Sequence, residues 1–379
     1  MNLPKNFGFG EDEKSLKDVA QKFFQDKFPT TQLHALVAAN SDLDREPECN
    51  WDQDLWQEII RLGWLMTAVP ERVGGLGMPA VGVAALLEQA GRAAFPSPLL
   101  TTLMSSYLLA ACQSENADAA LALILDGKSF SYAGCDEQGS WEHQDTDVLV
   151  NNDSLNGKSY FVQDARKADY FLVKAKAGNQ VGLYVVAADA PGLTIKPDNI
   201  LDLTRDQATL IFNDVAIDSA ANVAAPGSAS TALISATPAM LVMLSADMCG
   251  AAEWQLQTTA EYAKVRVQFD RPIGFFQAVK HPLSEFMVEL DQARAHLYHA
   301  ACAIDHAPEM AEQYARMAKS VATDMAAFGS AKSVQLHGGI GFTWEYYVHI
   351  YMKRQLHSMV TLGDASYQRT KLAELILAA

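Results

Sequence analysis

Residues 237–267, TPAMLVMLSADMCGAAEWQLQTTAEYAKVRV, decide the fold of this chain. The stretch is long, and its first half consists almost entirely of apolar and small residues, a pattern that predicts one long helix buried in the protein. Asp247 is the only charged residue between Asp218 and Glu253. The helix is therefore the core element to which the rest of the sequence must be fitted.

Three further helices follow this stretch along the chain. Apolar residues at three- and four-residue spacing predict helices over 278–305, 308–339 and 367–379. Together with the first helix they predict a C-terminal four-helix bundle over residues 223–379.

The composition and periodicity of the sequence change twice upstream of the long helix. Between about 128 and 218, short runs rich in β-branched and aromatic residues alternate with Asn, Asp, Gly and Pro, which predicts a compact antiparallel barrel or sandwich over 127–222. Residues 1–126 have helical periodicity instead. The predicted fold is therefore mostly α with a β insert, in the order helices, small β domain, helical bundle.

Charge and cysteine content exclude several classes of function. The formal net charge of −16 argues against binding to nucleic acid and to an anionic membrane surface. Five scattered cysteines without zinc-ligand spacing indicate a reduced protein without a metal site. The polar, acidic start lacks the features of a signal peptide, and the most apolar segment is too short to span a membrane. We expect a cytoplasmic protein that does not insert into membranes.

A loop after the long helix, RVQFDRPIGFFQAVKH (266–281), has the composition of a ligand-binding segment. Arg266, Phe269 and Gln277 supply a basic fork, an aromatic ring and an amide, which suit a pyrophosphate attached to a ring system. The alternative is an ordinary loop that ends a helix. A second segment, QLHGGIGFTWEYYVHIYMKR (335–354), is rich in glycine but has neither a P-loop nor a Rossmann pattern, and alone it favours a plain turn.

Asp247 is the most conspicuous candidate for a catalytic group. A buried carboxylate has a raised pKa, which suits a general base that works near neutral pH. The alternative is a structural role, in which Asp247 pairs with a buried arginine or caps a neighbouring helix. The residues alone leave both roles open.

Three segments together resemble the acyl-CoA dehydrogenase family of flavoenzymes. PERVGGLGM (70–78) resembles the family's Pro-Glu-x-x-Gly-Gly-Leu-Gly turn. Residues 266–281 resemble its Arg-x-x-Phe-Gly-x-Pro-Ile-x-x-x-Gln loop, and QLHGGIGFTWEY (335–346) resembles its Gln-x-x-Gly-Gly-x-Gly-Phe segment. The motifs occur in the family's order, and the resemblance covers nearly the whole chain.

The resemblance implies FAD bound at a subunit interface. One subunit's β domain and helices hold the flavin ring, and the neighbouring subunit supplies the last two motifs to the pyrophosphate and adenosine. The residues that the motifs place there are Arg266, Phe269, Gln277, Gln335, Gly338 and Gly339. Asp270 replaces the loop's usual glycine, and its carboxylate would repel phosphate.

The implied chemistry is α,β-dehydrogenation of an acyl-CoA substrate. A carboxylate removes the α-proton, and hydride moves from the β-carbon to flavin N5. The reduced FAD then passes electrons to an electron-transferring flavoprotein.

The usual base is missing from both positions at which the family carries it. Leu362 in VTLGDASYQR (360–369) aligns with the Glu of the common Glu-Gly-Thr motif, and Met240 aligns with a second Glu position on the long helix. Asp364 lies two residues after Leu362, and Asp247 lies two helical turns beyond Met240, roughly 10 Å along the axis. The Gly-Asp-Ala sequence resembles a branch that acts on steroid side chains and other bulky acyl-CoAs, partly as mixed α2β2 tetramers.

The flavin half of the implied site also departs from the family. CDEQG (135–139) stands where Thr-Glu-Pro is usual, and Phe161, Val162 and Gln163 stand where Trp-Ile-Thr is usual. Phe161 could still pack on a flavin.

Two hypotheses follow from the sequence. In the first, the chain is a FAD-dependent acyl-CoA dehydrogenase, a homotetramer with Asp247 or Asp364 as base. In the second, it is a non-catalytic subunit of an α2β2 heterotetramer that completes the partner's FAD site.

Overall fold

The N-terminal part is helical, as predicted. The structure, a computed structural model, describes residues 3–39 and 46–378. Helix α3 begins where the Asp52 carboxylate accepts the Leu55 amide at 2.9 Å, a typical N-cap. The helices are α1 (Glu11–Lys27), α2 (Thr30–Ala38), α3 (Gln53–Arg61), α4 (Ala80–Arg92), α5 (Leu99–Cys112) and α6 (Glu115–Leu125).

The middle part is a single eight-stranded sheet. The strands are β1 (Phe130–Ala133), β2 (Asp147–Asn151), β3 (Ser154–Gln163), β4 (Tyr170–Ala177), β5 (Gln180–Ala187), β6 (Leu193–Pro197), β7 (Gln207–Ala216) and β8 (Asn222–Ala224). Their order is β6-β7-β3-β2-β4-β5-β8, with β1 paired to β4. The predicted domain boundary at 222 falls within β8.

The sheet differs from a closed antiparallel barrel in two respects. It is open, with β6 and β8 at its ends, and β4 pairs in parallel with both β1 and β2. Parallel strands cannot be joined by a tight hairpin. The chain therefore needs a long connection over residues 134–146, called the β1–β2 loop below, which leaves the sheet and packs against the helices.

The long helix α7 (Ala229–Val265) is the centre of the protein. By length and composition it could cross a membrane, but 83% of its most apolar 18-residue window is buried inside the protein. A core helix of a globular domain has this composition because all of its sides contact other elements. Helix α7 contacts α4, α5, α8 and α9.

Two glycines bring α4 and α7 into backbone contact. A Cβ atom added to Gly250 would lie 1.8 Å from the carbonyl oxygen of Glu88, and one added to Gly91 would lie 2.1 Å from that of Asp247. Backbone atoms cannot move aside as a flexible side chain can. The crossing therefore depends on the absence of a side chain at both positions.

The C-terminal helices complete the bundle. After α7 come a short hairpin of β9 (Val267–Gln268) and β10 (Arg271–Pro272) and then α8 (Gln277–His306), α9 (Pro308–His337), α10 (Val348–Val360) and α11 (Ala365–Ala378). Helix α10 was not among the predicted helices. Glu88 on α4 joins the N-terminal helices to this part, because its buried carboxylate accepts Arg294 Nε at 2.6 Å and the Tyr298 hydroxyl at 2.7 Å.

We expect Gly250→Ala to destabilise the protein by roughly 3 kcal/mol or more, because the added methyl group forces the two helix backbones apart. Gly339→Ala is the matched control, since a Cβ there meets no atom within 4 Å, and we expect a change within about 0.5 kcal/mol. Urea unfolding followed by circular dichroism measures both. Equal stability of the two variants would contradict the close crossing.

Candidate functional site

Leu362 and Met240, at the two positions expected for a base, line the same cavity. Leu362 follows the C-terminus of α10, and Met240 lies on α7. Both side chains border two small adjoining spaces, together with Tyr132 and Trp141. No Asp or Glu side chain is among the residues that line either space. The two base positions thus converge in space, as the resemblance implies, but neither supplies a proton acceptor.

The backbone at Leu362 is held in an unusual conformation. Its φ of 58° lies in the left-handed region, which is unfavourable for a leucine. The Gln368 amide donates to the Leu362 carbonyl at 2.6 Å, and the Lys319 ammonium donates to the carbonyls of Met359 and Gly363 at 3.0 and 3.3 Å. Burial lowers the pKa of Lys319 to about 7. Buried polar groups therefore fix the turn although its side chain cannot accept a proton.

The cavity is too small for an acyl group. The two spaces measure about 40 and 30 Å³, which is room for a water molecule or two. Ligand sites in proteins typically enclose several hundred Å³. Tyr132 and Trp141 border both spaces and fill the region between α7, the sheet and the Leu362 turn.

The β1–β2 loop, which carries Trp141, is hydrogen-bonded to one strand and two helices. Contacts on either side of Trp141 reach β4, α7 and α11, so the loop is anchored rather than free to swing. They are Lys174 Nζ to the Glu142 carbonyl (2.8 Å), His143 Nε2 with Thr237 Oγ1 (3.1 Å), Gln144 Nε2 to Ser230 Oγ (2.7 Å) and Lys371 Nζ with Glu142 Oε1 (2.7 Å).

Trp141 and His143 were not predicted as site residues. Burial, together with the nearby Lys174 and Arg316, lowers the pKa of His143, so its imidazole is neutral at physiological pH. Both residues come from a loop between strands, where the sequence has no period that could indicate a facing cavity. The only sequence feature that marked this loop as unusual was CDEQG at 135–139, which stands where the family usually has Thr-Glu-Pro.

Asp247 lies in a buried ion cluster. One carboxylate oxygen accepts Arg205 Nη2 at 2.7 Å and Arg354 Nε at 3.2 Å, and the other accepts Arg354 Nη2 at 2.5 Å. All three side chains are almost completely buried. The structural role that the sequence left open, a carboxylate paired with buried arginine, is the one observed.

The expected rise in the pKa of Asp247 is wrong. Burial alone would raise it, but the charges of Arg205 and Arg354 outweigh burial and hold the pKa below its ordinary value. A carboxylate in this state is a weak proton acceptor, and both of its oxygens are occupied. The role of Asp247 as a base stays a prediction that this geometry argues against.

Asp364 caps a helix. Its carboxylate accepts the Tyr367 amide at 2.8 Å and thereby begins α11, while its side chain is exposed. It does not border the cavity formed by Leu362 and Met240. The structure thus brings neither predicted carboxylate into that cavity.

Phe161 and Gln163 stand at a bulge in β3. The register with β7 shifts between Ser159 and Val162, and Phe161 has a φ of 56°. The Gln163 side chain accepts from His357 Nε2 at 2.6 Å and donates to the Gln207 side chain at 2.9 Å. Its hydrogen-bonding groups are thus already used within the protein, which does not fit a flavin ring as additional partner.

The residues predicted to bind the FAD of a neighbouring subunit differ from Phe161 and Gln163 in their surroundings, because all of them lie on the surface. The members of this group are Arg266, Phe269, Gln277, Gln335, Gly338 and Gly339. Phe269 is 85% exposed at the tip of the β9–β10 hairpin. Within the described residues, the Arg266 guanidinium has no hydrogen bond or ion pair, so it is available to a phosphate.

Tyr262 holds the two segments that are predicted to bind FAD at one end of the bundle. It lies one turn before Arg266 on α7, its ring stacks on His337 at 4.3 Å, and its hydroxyl donates to the His337 carbonyl at 3.4 Å. The Arg266 loop and the segment from Gln335 to Gly339 therefore form one surface. An unpaired guanidinium, an exposed ring and exposed amides on this surface fit the pyrophosphate end of FAD.

Comparison with known proteins shows the family to which the chain belongs. Models described as "Acyl-CoA dehydrogenase, N-terminal domain" and "Acyl-CoA dehydrogenase, C-terminal domain" match residues 10–128 and 237–377. Acyl-CoA dehydrogenase IpdE2 of Mycobacterium tuberculosis is 32% identical over 305 residues, which cover 80% of each chain. IpdE2 of Mycolicibacterium smegmatis is 29% identical over 339 residues, which cover 86% of this chain and 89% of the relative.

Solved structures have the same fold over their whole length. The Tcur3481-Tcur3483 steroid ACAD G363A variant superposes with a TM-score of 0.84 at 29% identity, covering 98% of this chain and 99% of that one. The ChsE4-ChsE5 complex from Mycobacterium tuberculosis superposes with a TM-score of 0.87 at 24% identity, covering 99% of each chain. On these grounds, the chain belongs to the acyl-CoA dehydrogenase family.

Proposed function

We propose that this chain is the non-catalytic subunit of a two-protein, FAD-dependent acyl-CoA dehydrogenase and completes its partner's FAD site. The observation that carries the proposal is the small cavity between Leu362, Met240 and Trp141, whose two spaces of about 40 and 30 Å³ are bordered by no carboxylate and are too small for an acyl group. FAD, when bound in the complex, accepts hydride from the β-carbon of the thioester. The partner's own residues would supply the base.

The contrast between the two halves of the FAD site supports the proposal. On the flavin side, the Gln163 amide is bonded to His357 and Gln207, and Gln163 and Trp141 border the same space of only about 30 Å³. On the donor side, Arg266 and Phe269 are exposed and project from the hairpin. A chain that binds its own FAD needs both halves, whereas a donor subunit needs the second half only.

A similar protein pair supports the assembly. The Tcur3481-Tcur3483 structure, 29% identical to this chain, is that of two proteins and is described as a steroid ACAD. By analogy, the complex formed by this chain would be an α2β2 tetramer acting on a bulky or steroid-derived acyl-CoA in the cytoplasm. The electron acceptor would be an electron-transferring flavoprotein.

The alternative, a self-sufficient dehydrogenase with Asp247 or Asp364 as base, has less support. Asp247 would have to leave two buried guanidinium groups unpaired before it could accept a proton, at a cost of several kcal/mol. Asp364 would have to give up the cap of α11 and move into a cavity that it does not border.

Flavin content tests the proposal directly. We expect the chain expressed alone to lack bound flavin and to show no thioester-dependent bleaching near 450 nm. Co-expression with the acyl-CoA dehydrogenase paralogues of the same genome should yield a yellow complex that an acyl-CoA bleaches. A yellow chain that bleaches alone would overturn the proposal.

Arg266→Ala in that complex should weaken FAD binding by roughly ten- to a hundredfold, because a charge-assisted hydrogen bond to phosphate is lost. Arg72→Ala, which removes an exposed cation of the N-terminal part, is the control and should leave the FAD content unchanged. The ratio of flavin to protein absorbance after dialysis measures both. Unaltered FAD content in Arg266→Ala would rule out a donor role for this loop.

Asp247→Asn separates a structural role from a catalytic one. Removing the charge leaves the buried Arg205 and Arg354 without the carboxylate to which both are hydrogen-bonded, so we expect a loss of roughly 3–5 kcal/mol in the free energy of unfolding. Asp364→Asn is the matched control, since Asn caps helices about as well as Asp. An Asp247→Asn protein of wild-type stability that no longer bleaches with thioester would instead identify Asp247 as the base.

A further inference from the structure

A second cavity lies between α1, α2, α4 and α7, and the site described above does not use it. Its volume of about 270 Å³ is several times that of the spaces at Leu362 and leaves room for roughly nine waters. We call it the Trp254 cavity, after the residue of α7 that borders it. Gln25 and Pro29, which also border it, are exposed, so a small molecule can enter from solvent.

The Trp254 cavity is separate from the surface predicted to bind FAD. Arg266, at the end of α7, follows Trp254 by twelve residues, which places the two roughly 18 Å apart along the helix axis. All residues that border the cavity belong to this chain, so binding there does not require a partner subunit. A ligand held in this cavity is therefore distinct from the FAD that the two subunits are proposed to share.

Gln89 contributes a buried amide without a partner to this cavity. It is one of two buried residues of α4 with a polar side chain, and the other, Glu88, is bound by Arg294 and Tyr298. Gln89 is only 2% exposed, and its Oε1 atom accepts no hydrogen bond within the described residues. An unsatisfied buried amide is unfavourable, and such groups are rare in native proteins. A bound molecule that completes the hydrogen bonds of Gln89 would account for it.

Three aromatic side chains form a preformed wall of the cavity. The Trp254 ring is stacked on Tyr351, with 3.8 Å between the ring centres and 3° between the planes, and its Nε1 donates to Thr30 Oγ1 at 3.0 Å. Phe24 and Phe28 are buried and each pack against a further aromatic ring of the core. Fixed aromatic walls favour a flat aromatic ligand, because ring pairs prefer defined stacked or edge-on geometries.

Arg92 is the only charged residue among the described residues that border the cavity. Its guanidinium donates to Gln257 Oε1 at 2.7 Å, and the carboxylate with which it pairs, Glu253, is 3.8 Å away and already bound by Arg294 at 2.6 Å. The charge of Arg92 is therefore compensated only in part. The cavity disfavours a cation and suits a neutral or anionic ligand.

We infer that the Trp254 cavity binds an adenine ring, which packs on the aromatic wall and forms hydrogen bonds along its edge with the Gln89 amide. A glutamine amide matches adenine with both of its groups, since it donates to N7 and accepts from the N6 amino group. The second of these bonds supplies the donor that Gln89 Oε1 lacks. Arg92 can contact a phosphate when the ring is part of a nucleotide. A free adenine nucleotide and CoA both carry this ring.

Titration calorimetry of the full chain with adenosine tests the inference. We expect a Kd of about 1 mM or tighter. Inosine should bind roughly tenfold more weakly or worse, because it has an oxygen in place of the N6 amino group and cannot donate from there to Gln89 Oε1. Equal binding of the two nucleosides, or an adenosine Kd weaker than about 10 mM, would overturn the inference.

Gln89→Leu replaces the amide by an apolar side chain of similar size. We expect it to weaken adenosine binding roughly tenfold or more and, because no hydrogen bond within the protein is lost, to leave the urea midpoint of the free chain equal or higher. Gln57→Leu, the same change at an exposed position of α3 outside the cavity, is the matched control and should leave adenosine binding unchanged. Unaltered adenosine binding in Gln89→Leu, or a lower urea midpoint, would contradict the inference.

Ala93→Leu provides a second variant that keeps the amide. Ala93 borders the cavity, so the larger side chain fills part of it and should also weaken adenosine binding roughly tenfold or more. Unchanged binding in this variant would place adenosine elsewhere on the protein and overturn the inference.

AMP and CoA, titrated in the same way, identify the source of the ring. Tightest binding of AMP would assign the cavity to a free nucleotide whose phosphate contacts Arg92, and tightest binding of CoA would assign it to CoA. In both cases Gln89→Leu must weaken the binding, whereas CoA held at a thioester site would be insensitive to that change and would count against the inference. These titrations involve no flavin, so a chain that is yellow and bleaches alone would overturn the proposed function without affecting them.

Discussion

The buried charge of Asp247 is the constraint on which the rest of the structure depends. Its carboxylate joins three parts of the chain, because Arg205 comes from the β6–β7 connection, Asp247 from α7 and Arg354 from α10. Removing any one member would leave uncompensated charge in the core. The sheet, the central helix and the helix that leads to Leu362 are therefore fixed relative to one another.

That constraint explains how the Leu362 turn is held in place without an acidic side chain at that position. Helix α10 is held by Arg354 at its middle, and its end is held by Lys319 and Gln368, which bind the carbonyls of the Leu362 turn. The turn keeps a left-handed backbone although leucine gains nothing from it. The supporting contacts stabilise the fold as well as the turn, so they do not depend on an acidic side chain at position 362.

The sequence predicted the parts of this protein that depend on local periodicity and missed those that depend on distant contacts. The helical and β-rich regions follow from spacing within each segment, and Asp247, the only charged residue between Asp218 and Glu253, correctly indicated a special environment. The sequence could not show that two arginines surround this carboxylate, because Arg205 and Arg354 lie 42 and 107 residues from Asp247. The cavity could not be predicted either, because Met240, Leu362 and Trp141 come from a helix, a turn and a loop that lie far apart in the sequence.

The two halves of the FAD site are subject to different physical demands, and this difference makes a donor subunit possible. In the flavin half, Trp141 and Gln163 are half-buried, and the residues next to Trp141 are anchored by Lys174, which donates to the Glu142 carbonyl, and by Thr237, which pairs with His143. A change in this loop must therefore be packed against its neighbours. The donor half lies on the surface, where Phe269 is 85% exposed and the Arg266 guanidinium has no hydrogen bond or ion pair within the described residues. Such exposed residues do not contribute to the packing of the monomer. Their arrangement on one rigid end of the bundle, held by Tyr262, is therefore best explained by a ligand that is shared with another subunit.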